Sequence, residues 1–226
     1  MSWIGGKKSS RDIIIPRFPL YYEKYIEVFG GGGWILFGKP PGNDHEIFND
    51  YNSNISNLYV CVRDKSSELI ERLRYVLNCR EDFDRIKHIV SEKAEIGDVQ
   101  RAAEFYQLIR YSYASSCDSF GGKPHSMWGN FPLIEQAARR LQKVVIENKD
   151  FEKLISAQDN EVSFFIAIRR ITPPRAITKT LALSPPTMSV YGVRWKTFRG
   201  NSLFHIMTAP KYASCMTAMR CIPMNG

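Results

Sequence analysis

No aspartate or glutamate occurs from Ile166 onward; all 23 acids of the chain precede it. That stretch therefore offers no carboxylate base, no acidic metal ligand and no internal ion pair. It also holds Met188, Met207, Met216, Met219 and Met224, five of the seven methionines. It lacks the periodicity from which a fold is read. Other absences narrow the chain as a whole. Cys61, Cys79, Cys117, Cys215 and Cys221 are odd in number and have no C-x-x-C spacing. Reduced thiols fit that pattern better than a disulfide framework or a zinc site. The four histidines have no metal-ligand spacing, so no metal is expected. No apolar run reaches the roughly 18 residues of a membrane span, and no signal-peptide core opens the chain. A cytoplasmic protein without a membrane partner is the expectation.

Basic residues are in excess. Lys and Arg number 31, for a net charge of +8 and a pI near 9.3. A polyanion is the partner this favours, with nucleic acid first and an anionic membrane second. The basic residues are scattered, which points to a folded surface rather than a disordered arm. Hydrophobic content of 44% supports a core, and 226 residues fit one domain with an insert or two small domains.

Four glycines, Gly30, Gly31, Gly32 and Gly33, directly follow the apolar run Tyr25-Ile26-Glu27-Val28-Phe29. A strand that ends in glycines and re-enters a helix brings backbone N–H groups close to a nucleotide-like ligand. Four glycines also make a flexible linker. The apolar flanks, with Trp34-Ile35-Leu36-Phe37 following, argue against the linker. So does Asp50, placed where an acid at the end of a second strand takes ribose hydroxyls.

Along the chain, Ile13-Ile14-Ile15 before Pro16 and Pro19 reads as an extended lead-in to a first strand at 25–29. Residues 40–44 are a turn and 46–49 a second strand. Helical periodicity runs over 53–76, with Leu69, Leu73 and Val76 on one face, and again over 100–113 and 133–142. Val144-Val145-Ile146 reads as a buried strand, and another begins at Val162. Strands thus bracket a helical block over 57–142, as in an α/β sheet with an inserted helical subdomain.

Three short motifs in order now resemble a family. Ser2-Trp3-Ile4-Gly5-Gly6-Lys7 is similar to W-x-G-G-K. Glu27-Val28-Phe29-Gly30-Gly31-Gly32-Gly33 is similar to E-P-F-x-G-x-G, with Val28 in place of proline. Asn49-Asp50-Tyr51-Asn52 is similar to N/A-D-x-N. A weaker fourth is Val145-Ile146-Glu147-Asn148-Lys149-Asp150-Phe151. Residues 1–165 resemble the Dam-type, alpha-class adenine-specific DNA methyltransferases, enzymes of restriction-modification and DNA methylation.

The resemblance implies a doubly wound, Rossmann-like α/β sheet. It implies S-adenosyl-L-methionine (AdoMet) as methyl donor, double-stranded DNA as substrate, and a flipped-out adenine whose exocyclic amino group is methylated. Trp3, Lys7, Glu27, Phe29, Gly31, Gly33 and Asp50 would form the donor site. Residues 1–56 and 143–165 would be the donor-binding core and 57–142 the target-recognition insert. In that insert Arg110, Tyr113 and Lys123 would meet DNA, since basic and aromatic residues together suit phosphates and bases. A monomer is expected. Two other readings remain open: a non-catalytic DNA-binding protein, and a glycine-loop enzyme of other chemistry such as a dehydrogenase.

The family's catalytic D-P-P-Y is expected at Ile168, Arg169, Arg170 and Ile171, and is absent. The adenine amino nitrogen is a poor nucleophile, because its lone pair is delocalised into the ring. The Asp and a Pro carbonyl accept its hydrogen bonds, and the aromatic residue stacks on the base. Here no carboxylate is present, and two arginines stand near a cationic donor. A one-base slip accounts for this. Taking the last base of each codon with the first two of the next, residues 166–172 permit Y-C-D-P-P-Y-Y. The same slip turns residues 205–210 into S-Y-N-D-C-P, similar to a later motif. The Asp there is forced, because the single Met207 codon ends in G. We therefore read 166–226 as an out-of-frame tail, from a frameshift near residues 164–166. The gene sequence across codons 160–175 tests this hypothesis: D-P-P-Y should stand in the neighbouring frame. Its absence there, at an intact junction, would leave a genuinely divergent C-terminus.

Overall fold

The computed structural model describes residues 8–92, 96–171, 201–208 and 219–220. Trp3 and Lys7 lie outside the described residues. The sheet has strands β1 (Lys24–Glu27), β2 (His45–Asn49), β3 (Val144–Glu147), β4 (Ser163–Ile171), β5 (Asn201–Thr208) and β6 (Met219–Arg220). They lie in the order β3-β2-β1-β4-β5-β6. Every pairing is parallel except β5 with β6. The chain steps outward from β1 to β3 and then returns to the other side of β1. The strand order reverses between β1 and β4, and doubly wound sheets bind ligands at the carboxyl ends of the strands beside such a reversal.

The central strands are apolar on both faces because both are covered. On one face Ile26, Val28, Ile47, Phe165 and Ala167 pack with Leu154 and Ile155 of α8 (Phe151–Gln158). On the other, Tyr25, Phe48, Phe164 and Ile166 join a larger core. That core takes in α3 (Ser53–Asp64), α4 (Ser66–Arg74), α5 (Arg80–Glu92), α6 (Asp98–Tyr111) and α7 (Phe131–Leu141). It also takes in Ile14 from α1 (Lys8–Ile14) and Ile35 and Leu36 from α2 (Trp34–Gly38).

The helix directions matter for the site. α3 leaves the carboxyl end of β2, and Arg63 in its last turn donates to the Val144 carbonyl at the start of β3 (2.9 Å). So α3 runs down to the amino edge. Lys65, just beyond it, pairs with Asp98 at the start of α6 (2.6 Å). α6 packs against α3, and Asn57 in the first half of α3 donates to the Asp98 carbonyl (2.9 Å). α7 ends just before β3.

Several local expectations change. The lead-in at 13–15 is helical: α1 runs into a 3-10 turn, Ile15–Arg17. Pro16 occupies the first positions of that turn, where its missing N–H costs nothing. The helix expected over 53–76 is two helices, bent at Lys65 (φ −135°, ψ 34°). The bend loses no pairing, since Lys65 N bonds Cys61 O and Leu69 N bonds Lys65 O. Helices α5 and α8 were not anticipated.

The amino edge is fastened by buried charge. Glu46 on β2 receives both terminal nitrogens of Arg140 from α7, and Lys39 Nζ at 2.9 Å. Lys39 also reaches Asp44 at 2.9 Å, and Arg140 donates to the Leu36 carbonyl at 3.2 Å. Burial pushes the Glu46 carboxyl up, but the hydrogen bonds from Arg140 and Lys39 together bring it below its ordinary value. A lowered carboxyl pKa adds stability that is present above the ordinary value, about 4.3, and lost as pH falls through the folded one. Glu46→Gln should therefore cost about 3 kcal/mol near neutral pH, by leaving buried Arg140 without its counter-charge and Lys39 with Asp44 alone. Chemical unfolding against pH should show the gap from the parent shrinking below about pH 4.3.

Candidate donor-binding site

Asn49 closes β2 with a side chain only 1% exposed. Its Nδ2 donates to the Val28 carbonyl (2.9 Å) and the Lys149 carbonyl (3.1 Å), while its Oδ1 accepts from Lys149 N (2.8 Å). One amide thus ties together the chain leaving β1, β2 and β3. Asn148 and Ser56 add bonds to the Asp50 carbonyl, at 2.7 and 3.1 Å. The connection after β3 is thereby anchored to the residue that follows Asn49.

The glycine turn is built on that clamp. Gly30 N donates to the Asn49 carbonyl (2.8 Å), and Gly33 N closes the turn on Gly30 O (3.0 Å). A Cβ on Gly30 would stand 2.2 Å from the Phe48 ring. Gly33 has φ +66°, and a Cβ there would meet Phe37 at 2.7 Å and the Tyr59 hydroxyl at 3.1 Å. Side chains fit at neither position, so the backbone itself forms the surface of the turn. Glu27 is fully buried, and its Oε2 accepts from Tyr25 Oη and Leu36 N, both at 3.1 Å. It thereby satisfies one of the open amides at the start of α2. Burial first, and then the Glu27 charge, raise the Tyr25 phenol well above its usual value, so it stays a donor.

Asp50 faces the turn. Its Oδ2 accepts from Gly31 N (2.8 Å) and its Oδ1 from Asn52 N (2.9 Å). An ionised carboxylate oxygen accepts more than one hydrogen bond. Holding two amides is therefore compatible with taking the hydroxyls of a ribose. Phe29 is half-buried and packs on Phe151 at 5.8 Å between ring centres. Of the donor-site residues named from sequence, the structure brings Glu27, Phe29, Gly31, Gly33 and Asp50 to one end of β1 and β2. Sequence reasoning gave no role to Asn49, although it lay inside a quoted motif; a buried amide at the end of a strand was the available signal. Among the described residues, no group of three His, Cys, Asp or Glu could hold a metal ion.

The positions expected for D-P-P-Y continue β4. Ile166 is level with Glu27, so 167–171 run beyond β1 and pair instead with 204–208 of β5. Ile168 is buried at 2% exposure and offers no acceptor.

The three DNA-contact candidates fall on the connection between α6 and α7 and its approaches. Tyr113 is 66% exposed, and Lys123 is exposed. Arg110 is half-buried, with its Nε and Nη2 on His125 Nε2 at 3.1 and 2.8 Å. Asn130 Nδ2 reaches the same nitrogen at 3.0 Å. Burial, then the Arg110 charge, lower the His125 pKa, which keeps the ring neutral and able to accept. A first structural task of Arg110 is thus to hold the 121–125 loop.

The model of the D12 class N6 adenine-specific DNA methyltransferase family matches residues 3–166. A curated relative, the Type II methyltransferase M1.LlaDCHI of Lactococcus lactis subsp. cremoris, is 29% identical over 185 residues. The match covers 72% of this chain and 62% of the relative, so the chain spans less than two thirds of the relative's length.

The close approach at Gly30 gives a direct test. Gly30→Ala should destabilise by about 2 kcal/mol through overpacking. The same change should cost less when Phe48 is already leucine, because the two sites share one space. Urea unfolding of the four proteins measures that coupling, and equal costs in both backgrounds would refute the Gly30–Phe48 argument.

Proposed function

Because the chain belongs to the D12 class N6 adenine-specific DNA methyltransferases, we propose that its glycine turn and Asp50 form the cradle for AdoMet. The reaction that such a site serves in this family is methylation of an adenine amino group in DNA. The observation that carries this is the Asp50 carboxylate bonded to Gly31 N, at the carboxyl end of β2 beside the reversal of strand order. Asp50 would take the ribose hydroxyls, and Gly31 and Gly33 would let the backbone pass beneath the donor. Glu27 and Phe29 would shape its edge. Trp3 and Lys7, outside the described residues, would complete the pocket. When bound, AdoMet supplies an electrophilic methyl group on a cationic sulfur. The helices from α3 to α7 form the target-recognition insert in this reading.

This polypeptide binds the donor without transferring the methyl group. An adenine nitrogen needs acceptors for its protons and a ring to stack on, and Ile168, Arg169, Arg170 and Ile171 supply no carboxylate and no aromatic ring. The reading of 166–226 as an out-of-frame tail stands with this proposal. Double-stranded DNA is the expected partner, and among the described residues no helix is long and apolar enough to cross a membrane.

Thermal unfolding with AdoMet and with NAD tests the donor. A ligand at about 100 times its Kd adds about 2.7 kcal/mol, and each kcal/mol moves the melting temperature of a chain of this size by about 2–4 °C. AdoMet should raise it, NAD should leave it, and Asp50→Ala should abolish the AdoMet shift. A missing AdoMet shift in the parent protein would sink the donor assignment. Adenine methylation by the purified chain would sink the claim of inactivity.

A further inference from the structure

Two segments of the helical block are stitched together at three points. The Arg74 guanidinium lies over the Trp128 ring at 5.4 Å. Asn78 Nδ2 donates to the Lys123 carbonyl at 3.0 Å. The Arg80 guanidinium lies over the Phe120 ring at 5.2 Å. The pairs 74 with 128, 78 with 123 and 80 with 120 run in opposite directions, so 74–80 and 120–128 form an antiparallel seam with a stacked arginine at each end.

Both aromatic supports are fixed from behind. Trp128 packs on Phe131 at 5.5 Å, and Phe120 on Phe83 at 5.6 Å. Trp128 and Tyr75 nevertheless remain 57% and 74% exposed.

We propose that this seam is a two-point phosphate clamp for DNA, with Arg74 and Arg80 as its contacts and Lys123 between them. The clamp rests on the DNA-directed reading above and assigns its binding surface. A guanidinium stacked on a ring loses rotamer freedom before the ligand arrives and keeps its donor edge outward, which a lysine cannot do. The surface behind the seam is electrically mixed. Glu71 pairs with Arg74 Nε at 3.3 Å, and Glu81, Asp82 and Asp84 follow Arg80. General basicity is thus not what attracts DNA here. Residues 119–134, in contrast, include no acid. The attraction comes from Arg74 and Arg80, each held over an aromatic ring of the acid-free segment 119–134.

Binding of the full chain to a mixed-sequence duplex oligonucleotide, followed by fluorescence anisotropy between about 50 and 200 mM salt, tests the clamp. Each lost phosphate contact should reduce the slope of log affinity against log salt by about one. Arg74→Gln with Arg80→Gln should reduce it by about two and weaken binding at least tenfold. Trp128→Leu should keep the slope and still weaken binding, because the charge stays while its support goes. The AdoMet shift in melting temperature should be unchanged in all variants, which separates lost contact from lost folding. Parent binding with a parent slope and affinity in the double variant would overturn the clamp and leave the DNA-directed reading standing. A parent protein without duplex binding would overturn both.

Discussion

A single side-chain amide holds the functional edge together. Asn49 bonds the main chain after β1 and the main chain after β3 while sitting at the end of β2. Each such bond contributes about 1 kcal/mol net, and leaving a buried partner unpaired costs more. The larger consequence is geometric. The Asn49 carbonyl receives Gly30 N, and the next residue presents its carboxylate to Gly31 N. The clamp and the glycine turn therefore share the same few atoms of chain. An error in the register between β1 and β2 would break the amide bonds and move Asp50 away from the turn.

The two edges of the sheet divide their charges accordingly. At the amino edge Glu46 is matched by Arg140 and Lys39 inside the protein, and that group fastens α2 and α7 to β2. At the carboxyl edge Glu27 and Asp50 accept hydrogen bonds from backbone amides. An acid held by amides keeps acceptor character toward a hydroxyl. An acid matched by arginine is committed to structure. The sheet thus keeps its rigid ion cluster and its amide-held acids at opposite ends.

The parallel sheet and the place of the glycine turn were legible because both depend on local composition. Central strands buried on two faces must be continuously apolar, and a turn with no room for a Cβ must be glycine. The helix at 8–14 was not legible, since three isoleucines before a proline fit a strand as well as they fit a helix. The division at Lys65 left no mark either, because the break keeps its hydrogen bonds and interrupts only the backbone angles. Asn49 and the Arg74–Trp128 stack depend on partners 100 and 54 positions away in sequence, where a single chain read in order gives no signal. Asp50 was recognised because its partner, Gly31, belonged to a motif already visible.

The segment beyond β1 shows why four side chains can decide more than an acceptor group. Residues 168–171 pair with 205–208 of β5 as a continuing strand. Ile-Arg-Arg-Ile allows this, since every residue keeps its amide. Prolines at 169 and 170 would remove two donors from that ladder and fix φ near −65°, so pairing there would have to stop. A strand that stops at that point frees its carbonyls at the reversal between β1 and β4, beside the glycine turn. The sequence present here does the opposite: it spends those backbone groups on β5. The difference from D-P-P-Y is thus a matter of main chain as much as of side chain. An aspartate alone at 168 would add a carboxylate without adding the break in the strand that two prolines impose.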